Sequence, residues 1–323
     1  MTAGRAAGVP AIAAAIAAGA ACKPDLGDPP SLITEPRILA VRGEPAEVEP
    51  DHAVAYQMLI AAPDGTGAAT GGPAPDAQWG FCTEPAPLSS NNAVDDGCLA
   101  TADPLPDSGP QIQATIPIDT CSVFGPTPPA PLPGQPPRRP HDADVTGGYY
   151  QPVRVLATLD GASLAPGIGL TRITCDLANA PLDIVRDFNR RYRANTNPTL
   201  VGLAALDPAG AAIAAPDGAL PALPPHTAVT LRASWTADSA ESFPVFDPAS
   251  RMLVDHREAI RVSWFVSAGA LAADRTGRGE TETETFADDI WTTPDAGPAY
   301  LWVVLRDTRG GVAFAGYAVA IAP

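Results

Sequence analysis

Lysine is almost missing from this chain. Lys23 is the only one in 323 residues, so arginine carries nearly all the positive charge. Basic residues number 20 against 36 acidic ones, a formal net charge of −16 at pH 7. Proteins hold DNA or RNA by letting lysine and arginine displace counterions from phosphates, so no nucleic-acid partner is expected. The acidic excess suits a soluble, non-aggregating surface. Aromatics are scarce at 6%. The four histidines, His52, His141, His226 and His256, stand in no HExxH or comparable metal motif. There is no G-x-S-x-G nucleophile elbow and no glycine-rich phosphate loop. CxxC spacing, which a zinc site would want, is absent too. No catalytic constellation and no cofactor are therefore expected. Nor is there a strongly apolar run of the ~20 residues that a membrane-spanning helix needs.

What the chain does have is turn-formers: 38 prolines and 29 glycines. Together with 46% hydrophobic residues, that composition fits short strands joined by many turns better than long helices. The length allows two domains of ordinary size.

The first segment carries the compartment. Residues 6–21 are Ala, Gly, Val, Ile and Pro10, preceded by Arg5. A basic start, a short apolar stretch and small residues at a cleavage point are the pattern of a secretory signal. Gly19-Ala20-Ala21-Cys22 resembles the lipobox of bacterial lipoproteins, although that family usually carries leucine where this chain has Gly19. The resemblance implies a signal peptide over 1–21, cleavage before Cys22, and acylation of Cys22. Two or more acyl chains anchor a protein stably. Lys23 follows the cysteine where an aspartate would act as a retention signal, which implies the outer membrane of a Gram-negative bacterium. Residues 22–36, rich in proline, read as a tether.

The other cysteines fit that picture. Cys82, Cys98, Cys121 and Cys175 make an even set once Cys22 is set aside. In an oxidising compartment they are expected as disulfides. Four cysteines permit three pairings. Cys82 with Cys98 closes a short polar loop and Cys121 with Cys175 ties a loop to a strand; this is the pairing we favour, with the other two left open.

Strand patterns fill both halves. In 226–235, Val229, Leu231, Ala233 and Trp235 share one face, and Thr230, Arg232 and Ser234 the other. In 259–269, Ile260, Val262, Trp264 and Val266 point one way. Such alternation marks half-buried antiparallel strands. Residues 37–50, 52–65, 110–118, 149–161 and 168–177 read as strands of the first half, and 299–321 as two strands around an Asp-Thr-Arg-Gly-Gly turn. Residues 181–193 break the pattern. Leu182, Val185, Phe188 and Tyr192 fall on one helical face, Pro181 suits a first turn, and Asn179 is a candidate cap. Arg186, Arg190, Arg191 and Arg193 make a small basic patch there, read by default as a solvated face.

Residues 291–321, with the segments LRASW and IRVSWFVSAG, are similar to the late, second and third strands of bacterial Ig-like domains. The whole resembles uncharacterised envelope lipoproteins of deltaproteobacteria. The resemblance implies an all-β chain of tandem Ig-like antiparallel β-sandwiches joined through a short amphipathic helix. The expected division is a first sandwich over 37–176, a helical linker over 177–196 and a second sandwich over 197–323. The function expected is a non-catalytic, lipid-anchored envelope scaffold or binding module. Its partners would be the membrane, through the anchor, and envelope proteins or glycans. A calcium-dependent adhesin or glycan-binding protein, and a secreted hydrolase with its site in the first-domain loops, are the alternatives.

Remaining chemistry is thin. Asp142 and Asp144 form an Asp-x-Asp before a glycine turn, a weak calcium candidate. A calcium loop wants a later carboxylate, and the twelfth position counted from Asp142 is Val153. Asp95-Asp96 and Asp288-Asp289 read as solvated loops, and Asp255, His256 and Glu258 as a polar connector. Trp79, Trp235, Trp264, Trp291 and Trp302 suit a core better than a sugar-binding platform; Trp302 lies in a strand that is apolar on both faces.

Overall fold

The computed structural model describes residues 28–67, 74–87, 94–126, 133–134, 145–177, 180–213 and 220–323. Cys22, the candidate signal peptide, Asn179, Asp142, Asp144 and most of the proline-rich stretch 124–140 lie outside the described residues.

The first sandwich is built from β1 (Arg37–Glu44), β2 (Glu47–Val48), β3 (Ala53–Ala61), β4 (Asp76–Phe81), β5 (Asp103–Ser108), β6 (Gln111–Thr115), β7 (Tyr149–Leu159), β8 (Ala162–Ser163) and β9 (Gly167–Ile173). Short helices α1 (Gly97–Ala100) and α2 (Thr120–Val123) sit in its connections. One sheet has the order β1-β3-β6, the other β2-β9-β7-β4-β5, with β8 beside β7. Every pairing is antiparallel except that of β2 with β9. Along β3 the alternation is strict: Val54, Tyr56, Met58 and Ile60 enter the core with Trp79, Phe81, Val153 and Val155.

After α3 (Leu182–Arg191), the second sandwich uses β10 (Leu200–Leu206), β11 (Ala228–Trp235), β12 (Ser242–Asp247), β13 (Met252–Arg257), β14 (Ile260–Val266), β15 (Ala270–Leu271), β16 (Arg275–Arg278), β17 (Phe286–Thr292), β18 (Gly297–Asp307) and β19 (Val312–Ile321). Its sheets are β10-β11-β17-β15 and β16-β14-β18-β19, and β12-β13 is a separate hairpin. In each half the first, second and fifth main strands form one sheet and the third, sixth and seventh the other. That is the Ig-like strand order, and the fold is all-β with tandem Ig-like sandwiches as expected. All five tryptophans are buried, which assigns them to the interior.

The two sandwiches also pack on each other. On β18, Leu301, Val303 and Leu305 face the second core. Trp302 and Val304 face the opposite way, into a third core with Val312 and with Ala40, Leu59 and Ala61 of β1 and β3. A strand apolar on both faces is thus a strand buried on both faces. The result is four stacked sheets with three apolar layers between them. Gly67, at φ +79°, lets the turn after β3 close beneath Trp302; any side chain there would strike the Ile60 carbonyl.

The N-terminal strap reinforces this stack. Residues 29–33 fall in the stretch read as tether, yet Ile33 is wholly buried in the third core and Ser31 nearly so. The Ile33 amide donates to the Val266 carbonyl (2.8 Å), and the Val266 amide to Ser31 (2.9 Å). The chain therefore touches the second sandwich before it builds the first. Helix α3 lies between the sandwiches in sequence and packs on β12 and β13. None of its residues is fully buried, and Leu182 is left exposed. Three of the four arginines of the patch are spent on neighbours: Arg190 and Arg191 on Asp187, Arg191 also on Asp255, and Arg193, just past the helix, on backbone carbonyls.

Candidate functional site

Two places concentrate polar side chains. The first is an open groove on the outer face of the β1-β3-β6 sheet. Ala40, Leu59 and Ala61 cover one end of that face with the second sandwich. At the other end, alternation turns Arg42, Glu44, Gln57, Gln111 and Gln113 outward. The end of β5, Pro106 to Ser108, walls the groove, whose volume is about 740 Å³. That lies within the ~300–1,000 Å³ typical of ligand sites. Arg42 donates to Glu44 (2.5 Å), and its Nε is buried without a hydrogen-bond partner among the described residues. Asp107 makes no ion pair among the described residues. The groove offers amide donors and acceptors with one unshared carboxylate.

The second is the junction between sandwiches. Arg309, in the turn after β18, is wholly buried. Its Nε donates to Glu258 (2.6 Å), one terminal nitrogen to Glu241 (2.6 Å), and the other to the Arg193 carbonyl (2.8 Å). The guanidinium also lies over the Phe243 ring, 4.6 Å from its centre. Across the junction, Arg172 of β9 pairs with Glu47 of β2 (3.3 Å), both buried. Tyr192 joins the two arginines. Its hydroxyl donates to Glu47 (2.6 Å) and accepts from Arg172 (3.1 Å) and Arg309 (3.4 Å). Asp307 accepts the amides of Arg309 and Gly311 (both 2.8 Å) and the side-chain amide of Asn195. Buried charges need this degree of pairing, since desolvating each is costly.

Burial pushes the Glu258 carboxyl up to about 7; the charge of Asp307 adds to the rise and Arg309 opposes it. Burial also raises Asp307, and it pushes Tyr192 up to about 12. The consequence for stability follows from linkage. A carboxyl raised in the folded state binds protons that the unfolded chain has released, so its contribution is present below about 4.5 and is lost as pH rises through about 7. The contribution of Glu258 to stability is expected to fall from pH 5 to pH 8. Thermal melts of Glu258→Gln should show a flatter profile over that window; an unchanged slope would place its source elsewhere.

The structure separates the residues that sequence had grouped. Asp255 pairs with Arg191, His256 with Glu280, and Glu258 with Arg309. They converge on no common point. Asp288-Asp289 is not a solvated loop: both lie in β17. Asp288 holds Arg232 in a two-pronged pair (2.7 Å each), and buried Asp289 accepts the amides of Ala273 and Ile290. Cys82 bonds to Cys98 and Cys121 to Cys175. Among the described residues no three His, Cys, Asp or Glu side chains gather as a metal site, and no helix is long and apolar enough to cross a membrane.

No protein-family model matches the chain, and no curated protein matches it. Among solved structures, it resembles the D00-D0 domain of intimin at 12% identity, covering 85% of this chain and 95% of that one with a TM-score of 0.24. It resembles the Yersinia pseudotuberculosis adhesin InvE at 10% identity, covering 87% and 58%, with a TM-score of 0.22. Red sea bream transglutaminase gives 9% identity, 90% and 32% coverage, and 0.26. Likenesses at this level carry no argument, and the fold stands on the strand order above.

Proposed function

We propose that this chain is a lipid-anchored, extracytoplasmic binding module, held at the outer membrane through Cys22 and acting without catalysis. The observation that carries the reading is the cysteine balance. Cys82, Cys98, Cys121 and Cys175 are consumed by two disulfides. Disulfides of this kind belong to an oxidising compartment. That leaves Cys22 as the one thiol without a bonding role, at the lipobox-like Gly19-Ala20-Ala21. The four-sheet stack supports the rest. Short linkers between domains ordinarily permit relative motion, but here a shared apolar layer, a buried ionic junction and the strap at 29–33 bind the halves together. The groove is then presented at a fixed orientation to the strap that leads toward Cys22.

Membrane fractionation tests the anchor. The wild-type protein is expected in the membrane pellet, released only by detergent. Cys22→Ala is expected in the soluble extracytoplasmic fraction, still with two disulfides. Retention of the alanine variant in the pellet would overturn the anchor.

A further inference from the structure

Strand β6 is an edge of its sheet among the described residues. Its neighbour on one side is β3, and among the described strands it has no other ladder partner. The Ile116 amide donates to the His52 carbonyl, and the Met58 amide to the Pro110 carbonyl. Residues 110 and 116 thus face β3, and by the two-residue period of a strand so do 112 and 114. The amides and carbonyls of Gln111, Gln113 and Thr115 are left facing away from the sheet. Nothing in this strand guards that edge. Its sequence, QIQAT, has no charge and no proline, whereas exposed edges are normally blunted by one or the other.

The longer edges elsewhere are handled differently. β5 carries Pro104 and Pro106, β12 carries Pro244, and β13 carries Asp255 and Arg257. β1 is held by Asn197 on the Gly43 carbonyl and Arg306 on the Leu39 carbonyl. On β19 the Ala320 carbonyl takes the Leu223 amide, and on β10 the Ala205 carbonyl takes the Ile213 amide. β6 alone among these opens beside the polar groove, with Gln111 and Gln113 on its rim.

Charge selects the occupant. A second copy of a chain at −16 would be repelled. In the groove Arg42 is already neutralised by Glu44, while Asp107 has no ion pair among the described residues. We propose that β6 accepts an extended peptide segment of a partner protein, added as a fourth strand and carrying a lysine or arginine opposite Asp107. Backbone hydrogen bonds would supply affinity, and the alternating side chains selectivity. The proposal rests on the binding-module reading and names its partner class. Fractionation tests the anchor independently, so either can fail alone.

The probe is a capped heptapeptide, Thr-Val-Thr-Lys-Thr-Val-Thr, added to the full-length protein in detergent. Hydrogen exchange followed by mass spectrometry is expected to slow over 110–117, and fluorescence anisotropy to give saturable binding. A version N-methylated on alternate amides should bind about tenfold more weakly or worse, corresponding to lost backbone bonds. Glutamate in place of lysine should also weaken binding. Gln113→Pro removes only an outward amide, which an edge strand tolerates, and should abolish protection while circular dichroism stays native. If that variant misfolds, the N-methylated peptide remains the deciding control. Unchanged exchange over 110–117, equal binding of the methylated peptide, or self-association that occupies β6 without peptide would each overturn the proposal.

Discussion

Arg309→Ala is expected to destabilise the protein by about 3–5 kcal/mol, the range for breaking a buried ion pair from one side. The magnitude comes from what is left behind. Glu258 is buried and Glu241 partly so, and both accept from the guanidinium at 2.6 Å. Alanine would leave the buried Glu258 carboxyl, beside Asp307, and the Glu241 carboxylate without their donor, and would empty the space over Phe243. Lysine would keep the charge but not the three directed donors that reach Glu258, Glu241 and the Arg193 carbonyl. Arg309→Lys should therefore recover only part of the loss. The control is Arg232→Ala. Its pair with Asp288 is just as short, but about a third of each side chain remains exposed. Pairs in that setting contribute about 0–1 kcal/mol. Denaturant unfolding of both variants measures the contrast. Similar losses at the two positions would mean that burial is not what makes the junction matter.

Neither end of that junction was readable beforehand, for a physical reason. Strand alternation reports only which face is apolar, and it placed Trp235, Trp264 and their neighbours correctly. It also held a clue to the third apolar layer, because β18 is apolar on both faces and a strand with one solvated face cannot be. What it could not supply was the partner. Glu258 stands beside Asp255 and His256 in sequence, so it looked like a connector. Its actual partner lies 51 residues on. Long-range ion pairs leave no period in a sequence. The hairpin of β12 and β13 escaped for a related reason: most of its residues are half-buried or exposed, so apolar and polar positions do not alternate cleanly. Asp289 misled in the opposite direction, since a buried carboxylate whose Oδ1 takes two backbone amides reads as a loop aspartate until the strand around it is known. The groove was half legible. Gln111 and Gln113 alternate with buried Ile112 and Ala114, which marks a strand with a polar face, but only the sheet order shows that this strand is an edge.

The disulfides set the second large expectation. A cross-link removes conformational freedom from the unfolded chain in proportion to the logarithm of the loop it closes. Cys121 and Cys175 lie 54 residues apart and Cys82 and Cys98 lie 16 apart. Loops of those lengths correspond to about 4 and about 3 kcal/mol. The Cys121→Ser, Cys175→Ser double variant should thus lose more than the Cys82→Ser, Cys98→Ser pair, with both measured by denaturant unfolding. The structural placement points the same way. Cys121 sits in α2, just beyond β6, and Cys175 just beyond the end of β9, so this bond ties one sheet of the first sandwich to the other. The shorter bond fastens α1 to the end of β4. Loss of the longer bridge should also speed amide exchange in β6, whose only ladder partner among the described strands is β3. The second sandwich contains no cysteine, so reduction should leave its amides protected as long as the junction through Arg309 holds. If they exchange together with those of the first sandwich, the four sheets unfold as one unit, and the shared apolar layer under Trp302 couples them more strongly than either bridge.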